Sequence, residues 1–258
     1  MPDAPDHTVD LFHRGGFHLV QPAARGHRAG IDAMILAAAV PSDFAGRLVD
    51  FGAGAGAAGL AVLSRCSGAT ALLVERSAEM AEFARKTLAL GENAPLAERA
   101  AVLEADVTLT GQRRVDAGLS DRSADFVIMN PPFNTAHHRP SPDSLKKQAH
   151  VMEEGLFESW LRSAGAVVTP TGFVALIARP FSLPVILAAL RGRFGDSEIL
   201  PIHPRSDLAA IRVVVRARRG SRAALRLCPP LILHEEPENR FTQRVNDINN
   251  GRASLFGD

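Results

Sequence analysis

The chain has 258 residues, 46% of them apolar, and a formal net charge of +1 at pH 7. This composition suits one α/β domain with a sizeable core and excludes a wholly basic nucleic-acid-binding protein. Cys66 and Cys228 are the only cysteines, so no disulfide framework is expected, and a cytoplasmic location is favoured. The His and Cys residues show no zinc-ligand spacing, and the longest apolar run, 33–40, is too short to span a membrane. We therefore expect no metal site and no membrane partner.

The chain begins with a short segment that precedes the first glycine cluster. Val9–Val20 is expected to form an extended hairpin, and Ile31–Val40 a helix that Pro41 ends. We therefore divide the chain into an N-terminal extension with a helix, residues 1–40, and a main domain with a C-terminal extension, residues 41–258.

From residue 47 onward, strand and helix patterns alternate, which is typical of βαβ units around a parallel sheet. The predicted strands are Leu48–Phe51, Ala71–Glu75, Ala101–Ala105, Phe126–Met129, Phe173–Ala178, Glu198–Ile202 and Ala210–Ala217. The predicted helices are Gly56–Ser64, Ala78–Leu90, Glu153–Val168 and Leu183–Phe194, with a short one near Thr242–Asn249. No helix fits between the last two strands, so the pattern predicts a mostly parallel seven-stranded sheet with an antiparallel C-terminal hairpin.

A glycine-rich turn follows the first predicted strand. Asp50 ends that strand, and Gly52, Gly54 and Gly56 lead into a helical pattern. Glycines allow a tight turn and the close approach of a ligand to the backbone, and a helix N-terminus attracts hydrogen-bond acceptors. Gly54, Gly56 and Gly59 also fit the dinucleotide fingerprint, which is a weak signal by itself. The turn predicts a nucleotide-like ligand and leaves a nicotinamide-dependent oxidoreductase open.

Polar residues end the next three predicted strands. Glu75 ends the second strand, Asp106 follows the third, and Asn130-Pro131-Pro132-Phe133 follows the fourth. Because parallel strands end at the same edge of a sheet, all of these residues are expected on one rim. Glu75 is placed to bind ribose hydroxyls, with a solvent-facing acid as the alternative.

The Asn130–Phe133 turn is the most informative of these endings. Its two prolines stiffen the chain and leave carbonyl acceptors, Asn130 adds an amide oxygen, and Phe133 offers a flat apolar face. Together they suit a planar group that carries an NH₂, such as adenine or a primary amide. The alternative is a rigid turn with a capping Asn and a buried Phe.

The whole series resembles the class I methyltransferases that use S-adenosylmethionine, which implies a Rossmann-like fold. Asn130–Phe133 is similar to the amino-methylating signature of the adenine-N6, cytosine-N4 and glutamine-N5 enzymes of that class. Phe17–Val40, which contains Asp32, resembles the N-terminal segment of the valine-tRNA adenine-N6 methyltransferases. Leu231–His234 and Phe241-Thr242 resemble the C-terminal end of the same enzymes.

The resemblance implies a role for each residue of the rim. Gly52, Gly54 and Gly56 would let the backbone approach the amino acid part of the methyl donor, and Asp50 would fix that loop or meet the ammonium group. Glu75 would bind the ribose and Asp106 the adenine amine of the donor. Asp32 would lie in an N-terminal segment that folds over the cofactor, with helix capping as the alternative.

The resemblance also implies how the Asn130–Phe133 turn would act. The side-chain oxygen of Asn130 and the carbonyl of Pro131, held by Pro132, would accept hydrogen bonds from a target amine. Phe133 would stack on the target base, which must be unstacked to reach the pocket.

Two basic stretches are candidates for contact with RNA phosphates. Thr135–His150 carries Lys146 and Lys147, and the expected hairpin turn Arg216–Arg222 carries four arginines. Ordinary solvated loops are the alternative for both stretches. Thr108–Asp125 is a long polar connection, predicted to be either mobile or a binding loop.

We therefore expect a methyltransferase that acts on the N6 amine of adenine in RNA, with tRNA as the expected partner. An rRNA base or a protein glutamine would use the same methyl chemistry and stays open. The oxidoreductase hypothesis leaves the Asn130–Phe133 turn unexplained, and the chain has no Tyr to donate a proton. Intact site residues argue against a non-catalytic RNA-binding protein.

Overall fold

A computed structural model describes residues 7–23, 28–132, 143–235 and 240–258, without the side chains of residues 143–154. The strands are β1 (His7–Phe12), β2 (Phe17–Pro22), β3 (Arg47–Phe51), β4 (Thr70–Glu75), β5 (Ala100–Glu104), β6 (Ala124–Met129), β7 (Val168–Ala178), β8 (Phe194–His203), β9 (Arg212–Arg219), β10 (Arg226–Leu227), β11 (Leu231–Ile232), β12 (His234–Glu235) and β13 (Arg240–Phe241). The α-helices are α1 (Ile31–Ala37), α2 (Ala57–Arg65), α3 (Ala78–Leu88), α4 (Ala94–Ala97), α5 (Gly111–Asp116), α6 (Asp143–Val167), α7 (Leu183–Leu190) and α8 (Gln243–Asn249). Short 3₁₀ turns span Gly91–Asn93 and Pro180–Ser182.

The central sheet has the strand order β5-β4-β3-β6-β7-β9-β8. Strands β3 to β7 run parallel, and β9 pairs antiparallel with both β7 and β8. The predicted seven-stranded sheet and its antiparallel hairpin are therefore confirmed. Within the described residues, β10 and β11 extend the sheet to nine strands by pairing in parallel with β8.

Helices cover both faces of this sheet, and its central strands are accordingly mostly apolar, with Asp50 as a buried polar residue in β3. Successive residues of a strand point to opposite faces, which divides the core into two clusters. Leu48 and Phe126 belong to the cluster beneath α1, α2 and α3, whereas Val49 and Phe51 belong to the cluster beneath α6 and α7. The sheet is thus a rigid frame whose strand ends are held from both sides.

The N-terminal segment packs against the first of these clusters. The expected hairpin is confirmed, since β1 and β2 pair antiparallel, and Phe17 is fully buried. The Val20 N–H donates to the hydroxyl of Thr87 in α3 at 2.9 Å, which fixes β2 against that helix. The first forty residues thus supply part of the core, and the boundary at residue 40 stays a prediction.

The connection Thr108–Asp125 differs from the sequence-based expectation. Part of it forms helix α5, in which Arg114 is buried and donates to the Leu119 carbonyl at 3.1 Å and to Asp121. A buried guanidinium with satisfied donors makes this segment a packed element. The prediction of a mobile loop is therefore wrong, and of the binding alternative only Thr108, at the start of the connection, lines the cavity described below. In the described part of the chain, no helix is both long and apolar enough to cross a membrane.

Candidate active site

A cavity of about 670 Å³ opens where the parallel strands end. This volume lies within the range of ligand pockets, roughly 300–1,000 Å³. The sequence-predicted residues on its wall are Asp32, Asp50, Gly52, Gly54, Glu75, Asp106, Asn130, Pro131 and Pro132. Phe133 and the part of Thr135–His150 up to residue 142 lie outside the described residues, as do the side chains of Lys146 and Lys147. The carboxyl ends of β3, β4, β5 and β6 thus meet at one site, as the sequence predicted.

The glycine turn between β3 and α2 needs residues without side chains. Gly52, Gly54 and Gly56 have φ values of +68°, +56° and +96°, a region that L side chains rarely adopt. A Cβ on Gly54 would meet only Met80 Cε at 3.7 Å, so its backbone lies open to the cavity. Gly56 does not line the cavity, because a Cβ there would lie 2.9 Å from Leu73 Cδ1. Its role is to pack the turn onto β4.

Asp50 holds the glycine turn from below. Its Oδ2 accepts a hydrogen bond from the Gly59 N–H at 2.9 Å, which ties β3 to the first turn of α2. Burial raises the pKa of Asp50 to about 7, the Gly59 N–H opposes that rise, and the charge of Glu75 adds to it. Asp50 was expected either to fix the loop or to meet an ammonium group, and the hydrogen bond to Gly59 corresponds to the first of these roles.

Glu75 at the end of β4 touches the same turn. Its Oε2 accepts from the Gly54 N–H at 2.9 Å, and its Oε1 accepts from the Ser77 N–H at 2.8 Å. Each carboxylate oxygen accepts more than one hydrogen bond. Glu75 can therefore hold the turn and still receive two hydroxyl donors from a ligand.

Asp106 forms the next part of the wall. Its Oδ1 accepts from the backbone N–H and the hydroxyl of Thr108 at 2.8 and 2.7 Å, and Arg76 lies 3.8 Å from its Oδ2. Partial burial raises the pKa of Asp106, but the Thr108 hydrogen bonds and Arg76 outweigh it and lower the pKa overall. Asp106 is therefore an ionised acceptor, suited to a ligand N–H.

Asp32 comes from the N-terminal segment. Gly30 is the N-cap of α1 and makes no side-chain cap, so the helix-capping alternative for Asp32 is wrong. Instead, Asp32 Oδ2 accepts from Arg212 Nε at 2.9 Å, which joins α1 to the start of β9 on the cavity wall. Gln21 supports this segment by accepting from the Ala29 N–H at 2.6 Å.

Asn130 and Pro131 form the wall after β6. Among the described residues, Asn130 Oδ1 is buried without a hydrogen-bond partner, and Pro131 is also buried. Unpaired buried acceptors are rare in folded proteins, and the described residues supply no hydrogen-bond donor at this position. The sequence predicted an acceptor here, and its unsatisfied state is a finding of the structure.

Trp160 of α6 is a wall residue that the sequence reasoning missed. It is buried, its ring is perpendicular to that of Phe51 at 6.5 Å, and a Cβ on Gly52 would lie 2.7 Å from it. Helical periodicity makes an apolar residue in α6 indistinguishable from ordinary core. The available signal was that Trp160 is the only Trp in the chain.

The predicted arginine hairpin does not lie at this site. Because β9 is antiparallel, Arg212 lies at the cavity edge and the 216–222 turn lies toward the opposite edge of the sheet. Arg216 is buried between Glu198 at 2.6 Å and Asp258 at 2.7 Å, so its assignment as a phosphate contact is wrong. The side chain is a structural cation that serves the core.

The charged and hydrogen-bonding groups of the cavity wall fit S-adenosylmethionine. Asp32, Asp50, Glu75, Glu79 and Asp106 outnumber the wall arginines 76, 179 and 212, which suits a ligand with two positive centres. Glu75 can accept from ribose hydroxyls, Asp106 from an adenine amine, and Gly54 leaves backbone open to the ligand. No group of three or more His, Cys, Asp or Glu in the described residues is arranged to hold a metal ion.

The strand order, the glycine turn and the row of carboxylates define the Rossmann-like class I methyltransferases, whose cofactor is S-adenosylmethionine. The chain belongs to the methyltransferase small domain family, whose model matches residues 28–195, more than half of its length. The predicted class, fold and cofactor are therefore confirmed, and the nicotinamide alternative is wrong.

Three comparisons place the chain among known proteins. A solved protein from Agrobacterium tumefaciens, described as a predicted O-methyltransferase, is 47% identical with a TM-score of 0.76 over 87% of this chain and 98% of that one. The tRNA1(Val) (adenine(37)-N6)-methyltransferases of two Bacteroides fragilis strains are 24% identical over 150 residues, 58% of this chain. The matched part spans only 59% of those curated relatives. The Thermus thermophilus 16S rRNA N2 G1207 methyltransferase, solved with AdoMet and guanosine, is 19% identical over 82% of this chain and 50% of that one; its TM-score of 0.53 shows the fold alone.

Proposed function

We propose that this protein transfers a methyl group from S-adenosylmethionine to the N6 amine of adenine in tRNA. The observation that carries the proposal is Asn130 Oδ1, a buried cavity-wall acceptor with no partner among the described residues. Leaving such a group unpaired costs about 1–3 kcal/mol. An exocyclic amine supplies the missing donor and is the atom that would be methylated.

The chain's own groups would activate this amine by orienting it. The lone pair of an exocyclic amine is conjugated with the ring, so the nitrogen is a poor nucleophile. Asn130 Oδ1 and the Pro131 carbonyl would accept hydrogen bonds from both amine hydrogens, which favours a tetrahedral nitrogen with its lone pair directed outward. When bound, S-adenosylmethionine supplies an electrophilic methyl group on a positively charged sulfur.

Positioning and fixed acceptors would supply most of the rate in this scheme. No strong base is needed, because the nitrogen becomes acidic once it is alkylated and its proton passes to solvent. The described cavity wall accordingly includes no His and no Lys. Phe133 is part of the proposal as the ring that stacks on the target base.

The cofactor half of the cavity would be held by the residues on β3, β4 and β5. Glu75 would bind the ribose hydroxyls and Asp106 the adenine amine, while the glycine turn at Gly52 and Gly54 would receive the amino acid part. Asp50 would keep that turn in place through Gly59 and face the ammonium group, with Gly56 packing the turn onto β4. Asp32, paired with Arg212, would close the cavity from the N-terminal side.

The tRNA assignment draws on the Bacteroides fragilis relatives, and it includes a cytoplasmic location. A protein glutamine or an rRNA base would also present an NH₂ to Asn130, so both stay as alternatives. A hydroxyl as the methyl-accepting group would correspond to the description of the Agrobacterium protein. A hydroxyl supplies a single O–H, whereas the proposed mechanism would use two hydrogen-bond acceptors, Asn130 Oδ1 and the Pro131 carbonyl.

Methylation of total tRNA, rRNA and a protein extract with labelled S-adenosylmethionine tests the proposal. We expect N6-methyladenosine in hydrolysed tRNA, lost in Asn130→Ala, which should still bind S-adenosylhomocysteine within a few-fold. Asn249→Ala is the matched control, because Asn249 Oδ1 is also buried and unpartnered but does not line the cavity. Label in methylglutamine or in 2′-O-methylated nucleosides, with none in N6-methyladenosine, would contradict the proposal.

A further inference from the structure

A second surface lies beside the cavity mouth, on the segments that follow β7 and precede β9. At the carboxyl end of β7, Ala178 pairs with Val213 of β9. The segments that follow β7 and precede β9 are therefore neighbours at the same sheet edge as Asn130. Arg179 lines the cavity, and Phe181 follows it two residues later. Across the pair, Leu208 and Ile211 precede Arg212, which also lines the cavity. We call Phe181, Leu208 and Ile211 the rim patch.

The rim patch exposes apolar side chains that the fold does not use. Phe181, Leu208 and Ile211 are 55%, 47% and 43% exposed. Their backbone is nevertheless held in place, because the Ile211 N–H donates to the Ile202 carbonyl at 2.8 Å and the Leu208 N–H donates to the Arg205 carbonyl at 3.2 Å. Phe181 lies in the 3₁₀ turn Pro180–Ser182, where the Ser182 N–H donates to the Arg179 carbonyl at 3.0 Å. Its exposed ring offers an apolar face for stacking.

Arginines lie on both sides of the rim patch. Arg179 and Arg212, the latter paired with Asp32, line the cavity beside it, and Arg205 and Asp207 lie in the same loop as Leu208. Arginines close to an aromatic ring can bind unpaired nucleic acid, through phosphate contacts and base stacking. By contrast, Arg219 at the far end of β9 lies seven residues from Arg212, roughly 23 Å along the strand.

We infer that the rim patch binds the RNA substrate, with an unpaired base next to the target stacked on Phe181. This rests on the proposed function, because the patch is useful to an RNA whose target base enters the adjacent cavity. It moves the RNA surface from the Arg216–Arg222 turn to the cavity edge of the sheet. Phe181 is a positioning residue in this scheme and does not contact the methyl group.

Binding of tRNA to Phe181 variants of the full chain tests the inference. Base stacking on an aromatic ring is worth about 5- to 150-fold in affinity. Phe181→Ala and Phe181→Leu should therefore weaken tRNA binding by tenfold or more, and Phe181→Trp should restore it. The matched control is Leu227→Ala, an apolar residue that is 74% exposed on β10, which pairs with β8 and does not line the cavity. Affinity for S-adenosylhomocysteine should stay unchanged in all four variants.

A second measurement follows the salt dependence of tRNA binding. If Arg205 makes one phosphate contact, Arg205→Gln should reduce the slope of log affinity against log salt by about 0.7–0.9. Arg222→Gln should leave that slope unchanged. Full affinity in Phe181→Leu would overturn base stacking and indicate an apolar protein partner. Equal slopes for both arginine variants would overturn the placement of the RNA. If wild type binds tRNA through Phe181 but methylates only protein or 2′-O positions, the proposed function fails while the RNA surface stands.

Discussion

Replacing Asp50 with Asn should remove a pH-dependent loss of stability. The pKa of this buried carboxyl is raised from 3.8 to about 7, chiefly because burial penalises the charged form. The unfolded chain therefore releases this proton near pH 3.8 and the folded chain only near pH 7. Over that interval the native state binds more protons, so this group lowers the free energy of unfolding as pH rises. About three pH units correspond to roughly 4 kcal/mol at most.

Asp50→Asn keeps the oxygen that accepts from Gly59 and removes the charge. Urea unfolding of both proteins between pH 4 and pH 8.5 can be followed by the fluorescence of Trp160, the single Trp in a chain without Tyr. The variant should gain up to about 4 kcal/mol over wild type as pH rises from 4, with most of the gain complete by pH 7.

Subtracting the free energy of unfolding of wild type from that of the variant at each pH cancels the contributions of the other titrating groups. Asp125→Asn is the control, since Asp125 is exposed and also accepts a backbone N–H, from Arg47 at 2.9 Å. A flat difference for Asp50→Asn, or a variant that loses stability above pH 7, would refute the reasoning about the buried carboxyl.

Three further changes test the cofactor half of the cavity and the core. Glu75→Ala should weaken S-adenosylhomocysteine binding in calorimetry by about 1.5–3 kcal/mol, through the loss of charge-assisted hydrogen bonds. Gly52→Ala should abolish measurable binding, because its Cβ would lie 2.7 Å from the Trp160 ring at a φ of +68°. Arg216→Met should lower the free energy of unfolding by at most about 3–5 kcal/mol, because the largely buried Glu198 would lose its partner at 2.6 Å and keep only the exposed Arg226 at 3.3 Å.

Each of these changes has a matched control. Glu92→Ala removes an exposed carboxylate outside the cavity and should leave cofactor affinity unchanged. Gly15→Ala has a φ of +91° but no atom within 4 Å of the added Cβ, so it should cost stability without affecting binding. Arg222→Met removes an exposed arginine and should change stability by less than about 0.5 kcal/mol. A control that behaves like its test variant would contradict the corresponding assignment.

Strand positions in the sheet followed closely from the sequence, except at the starts of β7 and β8. Strand β8 begins at Phe194, four residues before the expected Glu198, where the sequence predicted the end of a helix. Strand β7 begins at Val168, five residues before the expected Phe173, because Thr169 to Gly172 look like a turn. Those residues nevertheless extend the strand beside β6, past a register shift between Ala124 and Phe126. A pairing of this kind depends on the neighbouring strand, so local propensity could not predict it.

Whether an arginine of β9 is buried or exposed likewise depends on neighbours that are far away in sequence. Arg216 and Arg218 are two residues apart in β9, and the sequence treats them alike. In the fold Arg216 is buried with Glu198 and Asp258 and lies 4.1 Å from the Phe256 ring, whereas Arg218 is exposed. The number of charged residues along the chain does not show which arginine will meet a carboxylate from another element of the fold.

The sequence by itself determined the class of fold and the row of polar groups at the strand ends. Both depend on local signals: the alternation of apolar runs with helical periodicity, the glycines, and residues that directly follow a strand. Only the tertiary structure decided that Asp50 is buried beneath Gly59, that Asp32 pairs with Arg212, and that Asn130 Oδ1 has no donor among the residues that the structure describes. Burial, pairing and unsatisfied hydrogen bonds are properties of packing between distant segments, and they exist only once the chain has folded.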